Sequence, residues 1–331
     1  MLLRNGVQVS ENFKKLSISI LFNCSSSKKN IGIENIIYKQ KTDIQSSFNQ
    51  WEKQIKESHE KNKKNLVPLK ELYTGSLWNN DIKKIQTSHI DKNINYFVFS
   101  AGLGVRSFED LGQPYNITFS NNNDTSISDN LEDKVKWLGK LENSSSFNKI
   151  YQKKSNIEKL LSSEGTTFIV LSKDYMRVFL KYLEKNNFLL NNNIFLLCSY
   201  EVSSSYYKNN TIRIKSSMDY IFDQSLSRYK KRGYAGGASV RLLNDILEEF
   251  EVFRHEDIVK FLNKKDKSNE IIKPKRKANV TDEEIKTFIR NTLIIKNISI
   301  SKLHRKLRDE KLWQCEDKRF AKLYKEAKGS L

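Results

Sequence analysis

Cysteine, histidine and long apolar runs are scarce in this sequence, and each shortage removes a class of protein. The three cysteines (Cys24, Cys198 and Cys315) are far apart and odd in number, which argues against a disulfide framework and predicts a reduced, cytoplasmic protein. The four histidines are not spaced as metal ligands, so neither a metal centre nor another cofactor is predicted. None of the apolar runs approaches the roughly 18 residues of a membrane-spanning helix, and residues 1–15 lack the apolar stretch of a secretory signal, so no membrane partner is expected.

Positive charge is what the sequence has in excess. The 331 residues include 58 Lys and Arg but only 39 Asp and Glu, a formal net charge of +19. An excess of this size is typical of proteins that bind polyanions, and nucleic acid is favoured over an anionic membrane. The length allows one large domain or two modest ones.

Hydrophobic patterning predicts an α/β core. Short β-branched runs predict strands at 17–22, 96–100, 167–171 and 194–199, each almost continuously apolar, as expected of strands covered on both faces. Apolar residues three and four apart predict helices at 44–60, 134–141, 157–161 and 174–183. The polar segments 121–130 and 143–146 are predicted to be exposed insertions.

The sequence changes character near residue 253. We predict a core at 1–252, a basic linker at 253–278 and a helical domain at 279–331. Thr281 and Glu284 form a capping box that opens a helix, and two further helices are predicted from Ser301 and from about Glu316. Three short helices with a tight second connection are typical of a helix-turn-helix module.

Basic residues are concentrated in this C-terminal region. Residues 271–331 hold 17 Lys and Arg against 8 Asp and Glu, an excess of nine positive charges. Contact with DNA, mostly through phosphates, is therefore predicted here, with a solvated helix face as the alternative. The residues predicted to make it are Arg305, Lys318, Arg319 and Lys322.

Four segments that follow predicted strands or precede helices could build a site, because sites of α/β proteins lie at the ends of strands. They are the loop 23–29 (NCSSSKK), the segment 73–76 (YTGS), the long segment 100–116 (SAGLGVRSFEDLGQPYN) and the segment 171–175 (LSKDY). The hydroxyls, backbone amides and two lysines of the loop 23–29 could bind an anionic group. An exposed Ser-rich turn would have the same sequence pattern and is the alternative.

The third segment resembles the signature of the peroxide-stress protein YaaA family, which reads roughly S-G-x-x-G-x-x-x-P-x-D-x-x-x-P-Y-R. The residues that match at the same spacing are Ser100, Gly104, Asp110, Pro114 and Tyr115. The 73–75, 23–29 and 172–175 segments are similar to further motifs of that family, in the same order along the chain. Asn116 and Phe108 depart from the pattern, standing where the family has arginine and proline.

The resemblance implies a layered α/β core related to uracil-DNA-glycosylase-like folds, including the glycosylase-like domain of archaeosine synthases, and DNA binding. It implies no particular reaction.

A glycine-rich run lies nearer the carboxyl end. The segment 230–239 (KKRGYAGGAS) precedes an amphipathic stretch and loosely resembles the glycine hairpin of helix-hairpin-helix elements. Glycine lets a backbone approach a phosphate closely, so Lys231, Arg232, Gly233, Gly236 and Gly237 are predicted to contact DNA. A hinge or a helix-packing glycine pair is the alternative.

Excision of a base requires a pocket for the extruded base, groups that read its edge, and a carboxylate that stabilises a cationic sugar or activates water. We assign the carboxylate to Asp110, with Glu109 in reserve and loop capping as the alternative role of Asp110. Lys28 or Lys29 would bind phosphate or form a Schiff base with the opened sugar. The residues predicted to contact the base are Asn23, Cys24, Ser25, Tyr73, Thr74, Ser100, Gln113, Tyr115, Asn116, Ser172 and Tyr175.

The sequence thus favours a DNA glycosylase-like enzyme that removes a damaged or modified base, in repair or in defence against foreign DNA. Two alternatives remain open at this point. One is a non-catalytic DNA-binding stress or regulatory protein, and the other is a base-exchanging transferase that acts on deazaguanine-type bases.

Overall fold

The computed structural model describes most of the chain. The described residues are 17–121, 124–151, 156–162, 164–200, 202, 205–214, 234–265, 280–295, 298–309, 311 and 313–329. Contacts between them define two compact units, one that holds the described residues up to 265 and one that holds those from 280 onward. The two units are described separately.

Ten strands lie in the first unit's described residues. They are β1 Ile18–Asn23, β2 Ile36–Ile37, β3 Val67–Pro68, β4 Ile94–Ser100, β5 Gly104–Ser107, β6 Leu111–Gly112, β7 Tyr115–Asn116, β8 Thr166–Val170, β9 Ile194–Cys198 and β10 Thr211–Arg213. Six form a central mixed sheet in the order β10-β9-β8-β1-β4-β5. All neighbours in it are parallel except β4 and β5, while β2 pairs with β7 and β3 with β6 outside it.

Strand β1 lies at the centre of this sheet. Its Ile20 stands in register with Tyr96 of β4 on one side and with Phe168 of β8 on the other. Every residue of β8 and β9 is buried, as expected of strands covered on both faces. The four strands predicted from their apolar runs are confirmed as β1, β4, β8 and β9.

Most helices of the first unit lie between strands along the chain. They are α1 Ile44–Lys61, α2 Leu69–Leu72, α3 Lys83–Ser88, α4 Leu131–Asn143, α5 Ser145–Ile150, α6 Asn156–Leu161, α7 Lys173–Lys185, α8 Tyr234–Glu249 and α9 His255–Lys264, with a π-helical segment at Leu77–Ile82. The predicted helices at 44–60, 134–141, 157–161 and 174–183 are confirmed as α1, α4, α6 and α7. The protein is therefore of the mixed α/β class.

Two segments predicted to be exposed insertions are not exposed throughout. Ile127 is fully buried, and its amide donates to the carbonyl of Thr118, so the polar segment 121–130 carries an inward-facing residue. In the segment 143–146, Ser144 is buried, and its hydroxyl caps α5 by accepting from the amide of Phe147. The polar composition of the two segments did not indicate these roles, because each role depends on a single residue.

Helix α9 lies inside the segment 253–278 that the sequence predicts to be a linker. Its Ile258 and Leu262, one helical turn apart, are buried in the same core as the sheet. The first compact unit therefore extends through α9 and does not end at residue 252.

The glycine-rich run lies largely inside a helix. Gly236 and Gly237 belong to the first turn of α8, whereas the sequence predicts a turn before a helix; Lys231, Arg232 and Gly233 lie outside the described residues. A Cβ at Gly237 would lie 3.4 Å from Oδ2 of Asp81 and 3.5 Å from Nη2 of Arg241. The protein's own side chains therefore lie beside Gly237, at ordinary contact distance from such a Cβ.

The second unit contains the helices α10 Asp282–Ile295, α11 Ile300–Asp309 and α12 Asp317–Gly329. The predicted capping box is confirmed, because the Glu284 amide donates to the Thr281 hydroxyl and the Thr281 amide donates to the Glu284 carboxylate. All three predicted helices are confirmed. Their shared core consists chiefly of Ile285, Ile289, Leu303, Leu307, Phe320 and Leu323.

Among the described residues, the helices are all too short or too polar to cross a lipid bilayer.

Candidate active site

The candidate site lies where the central sheet changes winding direction. From β1 the chain passes to β4 on one side and later to β8 on the other, so the carboxyl ends of β1 and β8 mark a topological switch point. Asn23, the last residue of β1, ties the two ends together, because its side-chain oxygen accepts from the amide of Ser172 at 3.0 Å. Ligand sites of open α/β sheets lie at such points.

A pocket of about 270 Å³ opens beside these strand ends. Its walls come from the loop after β1, from the residues that follow β7 and from the first turns of α7. The lining residues are Cys24, Ser25, Ser26, Asn116, Ile117, Thr118, Ser120, Thr125 and Tyr175. The structure therefore brings four of the predicted base-contacting residues together: Cys24, Ser25, Asn116 and Tyr175.

The hydroxyl of Tyr175 contacts lining residues from two other segments of the pocket. It lies 3.3 Å from Sγ of Cys24 and 3.4 Å from Oγ1 of Thr118. Burial raises the pKa of Tyr175 well above its usual value, so the phenol stays neutral and can donate a hydrogen bond. Asn116, in contrast, has no hydrogen-bond partner for its side chain among the described residues, so its amide is available to a bound molecule.

Loop 23–29 is held in place by backbone contacts with the segment around Tyr73. The amide of Lys29 donates to the carbonyl of Leu72 at 2.8 Å, and the amide of Thr74 donates to the carbonyl of Ser27 at 3.0 Å. Gly75, which follows, has a φ of 101°, a conformation that favours glycine. These bonds hold the loop against the segment around Tyr73, while Ser26, Ser27 and Lys29 are exposed, as in the Ser-rich turn that was the alternative.

Lys28 turns its amine inward from this loop. Its Nζ lies 4.2 Å from the centroid of the Tyr115 ring and donates to the carbonyl of Ser25 at 2.8 Å. Removal from water lowers the pKa of Lys28 below its usual value, while negative charge on Cys24 would act in the opposite direction. The structure thus places a lysine with a lowered pKa one hydrogen bond from a residue that lines the pocket.

Beneath Lys28 runs a chain of hydroxyls. The Ser100 oxygen accepts from the amides of Gly102 at 3.1 Å and Leu103 at 3.0 Å, so both of its lone pairs are engaged. Its proton must therefore be donated to the hydroxyl of Tyr115, which lies 2.6 Å from that of Tyr73. Burial raises the pKa of both tyrosines well above their usual value, which keeps both phenols neutral.

Two tryptophans fix the turn that carries Ser100. Nε1 of Trp51 donates to the carbonyl of Gly102, and Nε1 of Trp137 donates to that of Ala101, both at 2.8 Å. A Cβ at Gly102 would lie 2.9 Å from both the Trp51 and the Tyr115 rings, so this position requires glycine.

A buried carboxyl group supports the same turn. Oε1 of Glu142 accepts from the amide of Val105 at 3.1 Å, next to Gly104, whose φ is 78°. Burial raises the pKa of Glu142 to about 7, although the Val105 amide and the charge of Arg106 act in the opposite direction.

The two carboxylates predicted for catalysis lie elsewhere. Oδ2 of Asp110 accepts from the amide of Ser107 at 2.9 Å, so this residue caps its own loop, which was the alternative role, and it does not line the pocket. Glu109 is exposed and pairs with Lys70 at 2.8 Å.

Several residues predicted to contact a base are used inside the protein. The rings of Tyr73 and Tyr115 are 1% and 0% exposed, so neither offers a free face for stacking. Gln113 is buried and donates from its side chain to the carbonyl of Ile55. The Asn23 side chain accepts a hydrogen bond from the Ser172 amide, and the Ser100 hydroxyl accepts from the amides of its own turn. The Thr74 amide donates to the carbonyl of Ser27. These three residues therefore position the site.

Five lining residues were not among the predicted site residues: Ser26, Ile117, Thr118, Ser120 and Thr125. The amide of Thr118 donates to the carbonyl of Thr125 at 3.0 Å, which folds the polar segment back onto the pocket. The signal that could have indicated this segment is the alternation of apolar and polar residues at 115–119 (YNITF), which is typical of a short extended run.

The four residues of the second unit that were predicted to contact DNA differ in their surroundings. Lys318 and Lys322 are exposed on α12. Arg319 instead joins α12 to the start of α10, because its guanidinium donates to the carboxylate of Asp282 and to the carbonyl of Val280. Arg305 is half-buried on α11. Arg319 thus has a structural role, and Lys318 and Lys322 are available to a polyanion.

The chain matches no protein-family model, no curated protein and no solved structure. In the part of the chain that the structure describes, no three His, Cys, Asp or Glu side chains converge as metal ligands.

Proposed function

We propose that the protein binds DNA and removes a damaged or modified base by cleaving its N-glycosidic bond, in repair or in defence against foreign DNA. In this proposal the first unit is a uracil-DNA-glycosylase-like layered core, and the second is a helix-turn-helix-like domain that holds the duplex. The net charge of +19 supports a polyanionic partner.

One observation carries the proposal, namely the position of the Lys28 amine. It lies against the Tyr115 ring, donates to the carbonyl of a pocket residue and has a lowered pKa. A lysine whose pKa is lowered by desolvation has a larger fraction of neutral amine at a given pH, and the neutral amine is the nucleophilic form. We therefore assign the reacting group to Lys28 and give Asp110 the role of a loop cap.

In the proposed reaction, the neutral amine attacks C1′ of an extruded nucleotide, and the electron pair of the glycosidic bond leaves with the base. One amine proton passes to the departing base through water or a pocket hydroxyl. The sugar ring then opens, the second amine proton moves to the ring oxygen, and an imine joins Nζ to C1′. Water hydrolyses the imine and restores Lys28.

The pocket would hold the extruded base during this step. The Asn116 side chain offers one acceptor and two donors to a base edge, and the hydroxyls of Thr118 and Tyr175 offer further hydrogen bonds. Lys318 and Lys322 would contact phosphates, which add affinity without reading sequence.

The test is release of free base from a panel of genomic DNAs that differ in base modification, measured by mass spectrometry together with a count of abasic sites. We expect release from at least one DNA. Lys28→Met should reduce the rate by about 100-fold or more, because no other amine occupies that position. Lys29→Met is the matched control, since Lys29 is exposed on the same loop, and it should release base at the wild-type rate.

Two results would overturn the proposal. Absence of free base and abasic sites across the panel, with DNA still bound, would favour the non-catalytic DNA-binding protein. If a folded Asp110→Asn variant released no base while Lys28→Met remained active, the reaction would be assigned to a carboxylate and not to Lys28.

A further inference from the structure

The second unit carries a groove that the proposed base excision does not use. It has a volume of about 640 Å³ and lies between α10 and the connection from α11 to α12. Its apolar part is formed by Phe288 and Trp313, whose ring centroids are 6.2 Å apart at an interplanar angle of 61°. Aromatic side chains in an open groove offer a surface on which a flat molecule can stack.

Charged residues line two sides of this groove. Lys306 and Lys311 lie on one side, and Glu283 and Glu284 lie on the other. Both glutamates are already engaged, because Glu284 accepts from the Thr281 amide and hydroxyl and Glu283 pairs with Lys286. Lys311 is exposed, so its amine is accessible to an incoming molecule.

The sequence region that contains the groove has an excess of positive charge. Residues 271–331 hold 17 Lys and Arg against 8 Asp and Glu. A partner of this groove should therefore combine flat apolar faces with negative charge, and the polymer with that chemistry is nucleic acid.

We propose that this groove binds single-stranded nucleic acid, with an unpaired base stacked on Trp313 and the flanking phosphates near Lys306 and Lys311. In a duplex the faces of the bases are covered by their neighbours, so only an unpaired base can enter. The inference does not depend on base excision, because no residue of the groove belongs to the first unit.

Tryptophan emission can report this event selectively. Trp51, Trp78 and Trp137 are 1%, 2% and 0% exposed in the core of the first unit, whereas Trp313 is half-buried in the groove. A base stacked on Trp313 should quench the emission of that residue and leave the other three unchanged.

The experiment titrates the full chain with a 20-nucleotide oligo(dT) and with a matched duplex, and records tryptophan emission and binding. We expect the single strand to quench tryptophan emission, and Trp313→Leu to weaken its binding by about 5- to 150-fold, the equivalent of losing one base–aromatic stack. Trp313→Phe should weaken it less because an aromatic face remains. Lys311→Glu should also weaken it, whereas Lys328→Glu, with the same charge change outside the groove, should have a smaller effect.

Wild-type affinity of folded Trp313→Leu for oligo(dT) would overturn the inference. If Trp313→Leu fails to fold, Lys311→Glu decides, because its side chain is exposed, and equal effects of Lys311→Glu and Lys328→Glu would contradict a role for the groove. Quenching by an amphipathic peptide but not by oligo(dT) would assign the groove to a protein partner instead.

Discussion

The amine of Lys28 lies 4.2 Å from the centroid of the Tyr115 ring, and the hydroxyl of that ring is bonded to Ser100 and Tyr73. Lys28 thus rests on a ring that cannot move without breaking a buried hydrogen-bond chain. These contacts join the loop after β1 to the turn after β4. Residues that stabilise the turn therefore also hold the proposed nucleophile in position.

The lowered pKa of Lys28 should make folding stability depend on pH. Below the folded-state pKa both states are protonated; between that value and the unfolded value near 10.5 the unfolded chain binds more protons, so stability rises with pH. Urea unfolding of the wild type and of Lys28→Met at several pH values measures this effect. We expect the free energy of unfolding of the wild type to rise relative to that of Lys28→Met as the solution becomes alkaline. A difference between the two proteins that does not change with pH would contradict a lowered pKa of Lys28.

Removal of the Ser100 hydroxyl should destabilise the first unit. In Ser100→Ala the buried amides of Gly102 and Leu103 lose their acceptor, and an unsatisfied buried polar group costs about 1–3 kcal/mol. Denaturant unfolding should show a loss of this size. Ser26→Ala, which removes an exposed hydroxyl from the loop after β1, is the control and should change the free energy of unfolding by less than about 0.5 kcal/mol. Equal stability of the two variants would mean that Ser100 does not hold the turn.

Glu142 should also give a pH-dependent stability. Its folded-state pKa of about 7 lies above the ordinary value of 4.5, so the folded state binds more protons between these values. The stability contributed by this group is present below pH 4.5 and is lost as pH rises through 7. Glu142→Gln keeps an oxygen acceptor for Val105 but cannot ionise. Between pH 4 and pH 8 its free energy of unfolding should rise relative to the wild type by about 3 kcal/mol. Parallel pH profiles would contradict this assignment.

The basic residues of α12 should separate into binding and structural groups. Lys318→Ala with Lys322→Ala should lower the slope of log affinity against log salt for duplex DNA by up to about 1.8, because each phosphate contact contributes about 0.9. The melting temperature should not change. Arg319→Ala should instead lower the melting temperature, because it breaks the contacts with Asp282 and Val280. An unchanged salt slope in the double variant would remove Lys318 and Lys322 from the interface.

The sequence predicted the framework of the protein better than its site. Strand β1 and helix α10 could be predicted because a continuous apolar run and a capping box are local signals. From the sequence, Lys28 could be predicted only to lie in a loop, because the Tyr115 ring beside its amine is remote in sequence. Asp110 shows the limit most clearly, because a carboxylate that caps a loop and one that faces a pocket have the same sequence context. The distinction depends on where the Ser107 amide points.

The most direct test of a lysine nucleophile is chemical capture of its imine with DNA. The full chain is incubated with a DNA from which base is released, the imine is reduced with borohydride, and the linked residue is located by peptide mass spectrometry. We predict a covalent protein–DNA adduct on Lys28, absent from Lys28→Met and retained in Lys29→Met. Release of base with no adduct, or with the adduct on another lysine, would contradict the assignment of the reaction to Lys28.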